Sequence, residues 1–184
     1  MRPKLSDGVV ALVVAPNAFR DEEYATPRSR LLAAGFRVTT AGRHLGPARG
    51  EGGTVATCDA LLSDLEPASI AAVVFVGGEG AVDYWDDPRA HGLAARTLAA
   101  GGVAGAICLG VGTLARAGLL RGKRAAGHPR AAGALAAGGA VATGEPVEID
   151  GRIVTGRDPA AASEFADTLV RVLRFATAPR GALS

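Results

Sequence analysis

The sequence predicts an α/β domain with a mostly parallel sheet and helices on both faces. Three observations carry that expectation. Apolar runs at Gly8 to Ala15, Ala71 to Val76 and Val103 to Ile107 have strand length and no polar alternation, as strands covered on both sides do. Segments with helix start and stop signals lie between them. At the end of the third run, Cys108 stands in Ala106-Ile107-Cys108-Leu109-Gly110, with small residues two before and two after it. A sharp strand-to-helix bend needs that, because its backbone is too tight for larger side chains.

The elements follow in order. Gly8 to Ala15 is the first strand. Asp21 to Ala34 is a helix with acidic residues in its first turn and Gly35 as its stop. Phe36 to Ala41 alternates and is the next strand, and the glycine-rich stretch Gly42 to Gly53 reads as a loop before a short strand at Thr54 to Cys58. After Ala71 to Val76, stopped by Gly77-Gly78, Asp86-Asp87-Pro88 supplies an acidic cap and a proline for a helix reaching about Ala100. Val103 to Ile107 leads through Cys108 into another helix. Ala131 to Gly144 is rich in Ala and Gly, yet reads as helix, turn and small strand, since Leu135 and Val141 otherwise lack a core. Val147 to Thr155 carries Asp150-Gly151 between apolar runs, a hairpin signal. Ala160 to Phe175 is a last amphipathic helix, with a frayed tail from about residue 177 to 184. No repeat and no boundary divides the chain, so residues 1–184 are expected to form one domain.

Composition narrows the class. A chain of 184 residues buries a sizeable core, and with 4% aromatic residues that core is aliphatic. A net charge of +2 without a basic stripe argues against nucleic acid. No apolar run is long enough to span a bilayer, and Met1 to Asp7 lacks the apolar segment of a signal peptide, so a cytoplasmic setting is expected. Cys58 and Cys108 do not form a secreted disulfide framework, and three scattered histidines offer no metal-ligand spacing. Gly110-Val111-Gly112-Thr113-Leu114-Ala115 fits a dinucleotide-binding pattern, but no acid follows at the ribose distance, in Ala131 to Gly139. Neither cofactor nor metal is expected.

Chemistry in an open parallel sheet gathers at the carboxyl ends of the strands. The loop leading to Asp21-Glu22-Glu23, the Gly77-Gly78-Glu79-Gly80 turn, Cys108 and Asp158-Pro159 all fall there. At a helix N-terminus the Cys108 sulfur is expected to be exposed and biased toward thiolate, the nucleophilic form. Backbone N–H groups of Gly78 and Leu109 can form an oxyanion hole beside it.

These motifs resemble the ThiJ/PfpI superfamily, which includes the parkinsonism-associated deglycase and archaeal intracellular proteases. The resemblance runs through Phe19-Arg20-Asp21-Glu22-Glu23 with Pro27, the Val-Phe-Val-Gly-Gly turn, Ala106-Ile107-Cys108 with Gly110, Ala117 to Lys123, and Thr155-Gly156-Arg157-Asp158-Pro159. It implies a flavodoxin-like three-layer sandwich, a homodimer, Cys108 as nucleophile, Glu23 as the acid that hydrogen-bonds it, and His128 as the histidine of the deglycase branch. A carboxyl beside a thiol shares its proton and titrates with it. The protease branch carries a histidine directly after the cysteine, where this chain has Leu109. Asp158 replaces a glycine common in its loop and is expected to add negative charge at the pocket rim.

Plainer readings compete. A lone cysteine is more often a buried small hydrophobe, and Glu23 alone would be a solvated helix residue like Glu22. His128 is either a member of the site or a loop histidine. His44 and His91 read as surface residues, Cys58 as structural, and Tyr84-Trp85 as packing. The expected function is a cofactor-free cysteine enzyme on small reactive carbonyls, like a glutathione-independent glyoxalase or deglycase. The alternatives are a PfpI-type peptidase or amidase, and a redox sensor or stress chaperone that uses the same oxidisable cysteine.

Overall fold

The computed structural model describes residues 8–177. Strand β1 (Val9–Val13) is followed by a short β2 (Asn17–Phe19), then helix α1 (Asp21–Ala33) and strand β3 (Arg37–Gly42). A hairpin of β4 (Gly46–Gly50) and β5 (Val55–Cys58) comes next, with β6 (Ala60–Leu61) after it. Strand β7 (Ile70–Phe75), helix α2 (Pro88–Ala99) and strand β8 (Val103–Ile107) complete the centre. Beyond Cys108 lie α3 (Val111–Arg116), β9 (Arg124–Ala125), α4 (Ala132–Ala137) and β10 (Val141–Ala142). The chain closes with β11 (Val147–Asp150), β12 (Ile153–Gly156) and α5 (Ala162–Thr177).

The main sheet has the order β11-β12-β8-β7-β1-β3-β6, parallel except for β11, which runs antiparallel to β12. Continuous apolar strands demand cover on both faces, and β8 illustrates how it is supplied. A side chain at Gly105 would meet Leu169 at 3.1 Å and Phe165 at 3.5 Å, both on α5. Its neighbours Ala104 and Ala106 point the other way and are equally buried, under the layer that contains α2. Helices α1 and α5 pack on each other, as do α2 and α3. This is the expected three-layer, flavodoxin-like sandwich.

Several boundaries hold for the expected reasons. Asp87 caps α2 by accepting the Arg89 N–H at 2.9 Å, with Pro88 at the first helical position. Helix α1 carries Asp21, Glu22 and Glu23 in its first turn and ends before Gly35.

Four expectations need correction. Gly42 to Gly53 is not a loop throughout, because β4 pairs with β2 on one side and β5 on the other. Only Ala48 of β4 is buried, so no apolar pattern announced it; backbone pairing across the small sheet makes the strand. The hairpin turn at residues 150–151 is displaced by one, since Asp150 pairs with Ile153 and leaves Gly151-Arg152 as the loop. Val141 lies on β10 but is 53% exposed, so core burial does not explain that strand. His91 is half-buried and its Nε2 lies 2.7 Å from the Trp85 carbonyl oxygen, tying α2 to the turn before it. Of the expected tail, Thr177 is still in α5 and residues 178–184 lie outside the described residues. Among the described residues no helix is long and apolar enough to cross a membrane.

Candidate active site

Three strands that are neighbours in the sheet end at one place. The chain leaving β1 enters α1 through Arg20, the chain leaving β7 enters Gly77-Gly78, and the chain leaving β8 enters Cys108. Strand order switches here, since β3 lies on one side of β1 and β7 on the other. Open parallel sheets bind ligands at such a crevice.

Cys108 has φ +58°, a left-handed conformation that a non-glycine residue adopts only under constraint. The constraint is close packing after the bend. A side chain at Gly110 would run into the Phe75 carbonyl, and one at Gly112 into the Trp85 ring. Trp85 also donates from Nε1 to the Leu109 carbonyl at 2.7 Å, and the Arg116 guanidinium lies 5.5 Å over its ring. The glycines of the dinucleotide-like pattern thus serve chain packing.

Glu23 lies in the first turn of α1 and is fully buried. Neither carboxylate oxygen has a well-formed hydrogen bond. Burial raises its pKa from the usual carboxylate range to about 8, against looser contacts with the Cys108 thiol and the Gly77 amide and the charge of Arg20, which pull it down. Gly77 is where carboxyl and thiol meet: a side chain there would overlap Glu23 Oε2 and come within 2.6 Å of Cys108 Cβ. Gly78 follows with φ +99°, a conformation glycine takes without strain. Its N–H and that of Leu109 both act on the Cys108 sulfur.

Cys108 is neither as exposed nor as acidic as the sequence suggested. It is 6% exposed, and burial, reinforced by the Glu23 charge, pushes the thiol up to about 12 against the two amides. A six-residue helix following a single 3₁₀ turn cannot outweigh that burial. While Glu23 keeps its proton its charge is absent, so the two groups form one unit that exchanges protons.

The sulfur still reaches a cavity of about 240 Å³. Gly78, Leu109, His128 and Pro159 line it with Cys108, and the rim carries Arg20, Glu51, Glu79 and Arg130. Arg20 pairs with Glu22 and Glu51, each at 3.0 Å, and Arg130 forms a two-bonded pair with Glu79. His128 accepts the Arg130 N–H at Nδ1 over 3.2 Å, which places the ring proton on Nε2. Asp158 does not line the cavity. It pairs with Arg157 at 2.8 Å and caps the turn into α5 through the Ala161 N–H. Cys58 is buried at the end of β5. Glu51, Arg20 and Arg130 escaped the sequence reading as site residues, because charged loop residues far apart in the chain give no local pattern.

Residues 9–172 match the sequence model of the DJ-1/PfpI family. An uncharacterized protein of Methanocaldococcus jannaschii is 31% identical over 167 residues, covering 89% of this chain and 82% of that protein. A deglycase of Pyrococcus abyssi is 26% identical over 163 residues, covering 89% of this chain and 98% of its own. A glutathione-independent glyoxalase of Caenorhabditis elegans is 27% identical over 164 residues, covering 89% and 88%. Among solved structures, a ThiJ/PfpI domain protein of Brachyspira murdochii superposes with a TM-score of 0.89 at 29% identity, over 92% of this chain and 98% of that one.

Proposed function

The chain belongs to the DJ-1/PfpI family, and we propose that it is a cysteine enzyme converting small, uncharged reactive carbonyls such as methylglyoxal without glutathione. One observation carries the reading: the strained Cys108 bend, with a buried acid against it and two amides directed at its sulfur. Relatives named deglycase and glyoxalase support the same class.

The working form of the pair holds one proton, with charge on sulfur and the proton on Glu23. The thiolate attacks the aldehyde carbon, and the Gly78 and Leu109 N–H groups receive the developing oxyanion. Glu23 then gives that oxygen its proton, leaving a hemithioacetal and a carboxylate. The carboxylate removes the hydrogen from the thio-substituted carbon and returns it to the neighbouring carbon, while the hydroxyl proton of the hemithioacetal passes to the former ketone oxygen. The first carbon is oxidised to a thioester while the ketone carbon is reduced to an alcohol, so no outside oxidant is needed. Water cleaves the thioester to lactate and free thiol. His128 assists as a donor from Nε2 to the departing sulfur, because its Nδ1 is already engaged.

The cavity supports the substrate class. About 240 Å³ suits a molecule of a few heavy atoms and not a polypeptide segment. Both rim guanidiniums are already paired with carboxylates, so an anionic substrate finds no free cation among these two. Together with Leu109 in place of a histidine, this argues against the peptidase reading. The protein is proposed to act as a homodimer. Purified protein is expected to form lactate from methylglyoxal without glutathione, and Cys108→Ser to abolish it. No turnover by the wild type would sink the assignment.

A further inference from the structure

Glu51 sits in the turn between β4 and β5, more than fifty residues from Cys108 in sequence, yet it lines the same cavity. Its base is fixed twice. The Glu51 N–H donates to the Phe19 carbonyl at 2.9 Å, and Asp21 accepts the Gly52 and Thr54 N–H groups of the same turn, each at 2.7 Å. From there its carboxylate reaches two different segments. Oε1 accepts the Glu79 N–H at 2.7 Å, and Oε2 accepts from Arg20 Nη1 at 3.0 Å.

Both contacts bear on the amide that faces the sulfur. Glu79 directly follows Gly78, so holding its N–H fixes the peptide plane after Gly78. Arg20 donates its own backbone N–H to the Gly77 carbonyl at 2.9 Å, which fixes the plane before Gly78. We propose that Glu51 is a positioning residue of the Cys108 centre: it clamps the Gly77-Gly78-Glu79 turn from both sides and so aims the Gly78 N–H at the sulfur. The inference rests on Cys108 being the nucleophile. It adds a residue that touches neither sulfur nor Glu23.

Charge and geometry are separable. Glu23 is faced by Arg20, Glu51, the Gly77 amide and the Cys108 thiol, so losing the Glu51 charge alters the pair electrostatically in any variant. Glu51→Gln and Glu51→Ala remove the same charge and the same contact to Arg20, but only glutamine keeps an oxygen for the Glu79 N–H. The test is the rate of Cys108 alkylation by iodoacetamide in the whole protein between pH 6 and 10, with the modified residue identified by mass spectrometry. Glu51→Gln is expected to stay within about threefold of wild type, and Glu51→Ala to react about tenfold more slowly than Glu51→Gln at one pH, equivalent to one pH unit in thiolate fraction. Equal rates for the two variants would overturn the proposal. If melting shows that Glu51→Ala does not fold, Glu51→Asp decides: it keeps the charge but is one methylene too short, and a rate equal to wild type would overturn the clamp. Methylglyoxal turnover is measured alongside. A wild type that alkylates but does not turn over removes the proposed activity while leaving the Glu51 comparison decisive.

Discussion

Cys108 and Glu23 place two ionisable groups where water does not solvate either well, and both titrate above their ordinary values. For Glu23 the folded value of about 8 lies above the usual 4.5, so the folded state favours the protonated carboxyl. The associated stability is complete at low pH and is lost as pH rises from the ordinary value through about 8. Wild-type Tm is therefore expected to fall between pH 5 and pH 8. Glu23→Gln should flatten that slope, gaining a few kcal/mol at pH 8 (about 1.4 kcal/mol for each tenfold change in proton affinity on folding) while abolishing turnover. Calorimetry across the pH series reads the stability trend, and an unchanged slope in Glu23→Gln would show that the carboxyl is not buried as described. Activity moves the other way. The one-proton form of the pair becomes populated as pH rises, so kcat/KM is expected to climb about tenfold per pH unit below the lower step near pH 8 and then level off. A profile flat from pH 6 to pH 9 would contradict this proton assignment. Cys108 was legible from its small neighbours, whereas Glu23 entered only through the resemblance to the ThiJ/PfpI superfamily, since a glutamate in the first turn of a helix reads locally as solvated. The protonation state was not legible, because it depends on burial.

Among the elements, the bend after β8 is held by a tryptophan that arrives from the turn before α2. Trp85 fills the space a side chain at Gly112 would need and bonds the carbonyl of Leu109, the residue whose N–H serves the sulfur. Gly112→Ala should therefore force the indole aside, costing about 1–3 kcal/mol as overpacking commonly does. Trp85 is the only tryptophan of the chain, so its emission reports the shift directly. Unchanged emission and Tm in Gly112→Ala would refute the packing account. The hairpin of β4 and β5 shows the opposite case. Its glycines and Pro47 argue against a strand by propensity, yet pairing with β2 and β5 creates one and delivers Glu51 to the cavity.

Across the full sheet, the chain segments after β1, β7, β8 and β12 gather on one edge, where Cys108, Gly78 and Pro159 share a cavity. The proposed homodimer is checked by light scattering during size exclusion, which should read twice the mass of one chain; a monomer at micromolar concentration would withdraw it. The layered α/β plan, most element positions and the bend at Cys108 could all be read from the order of residues alone, while Glu23 as its partner acid came only with the family resemblance. Apolar runs, caps and small residues are local demands of backbone geometry, and local demands are written in neighbouring residues. Four other properties emerged with the folded chain: the sulfur is buried, Glu23 holds a proton near neutrality, Asp158 caps α5 away from the cavity, and Glu51 reaches Glu79 and Arg20. Desolvation and charge pairing depend on distances through space, and residues far apart in the chain carry no signal of that proximity.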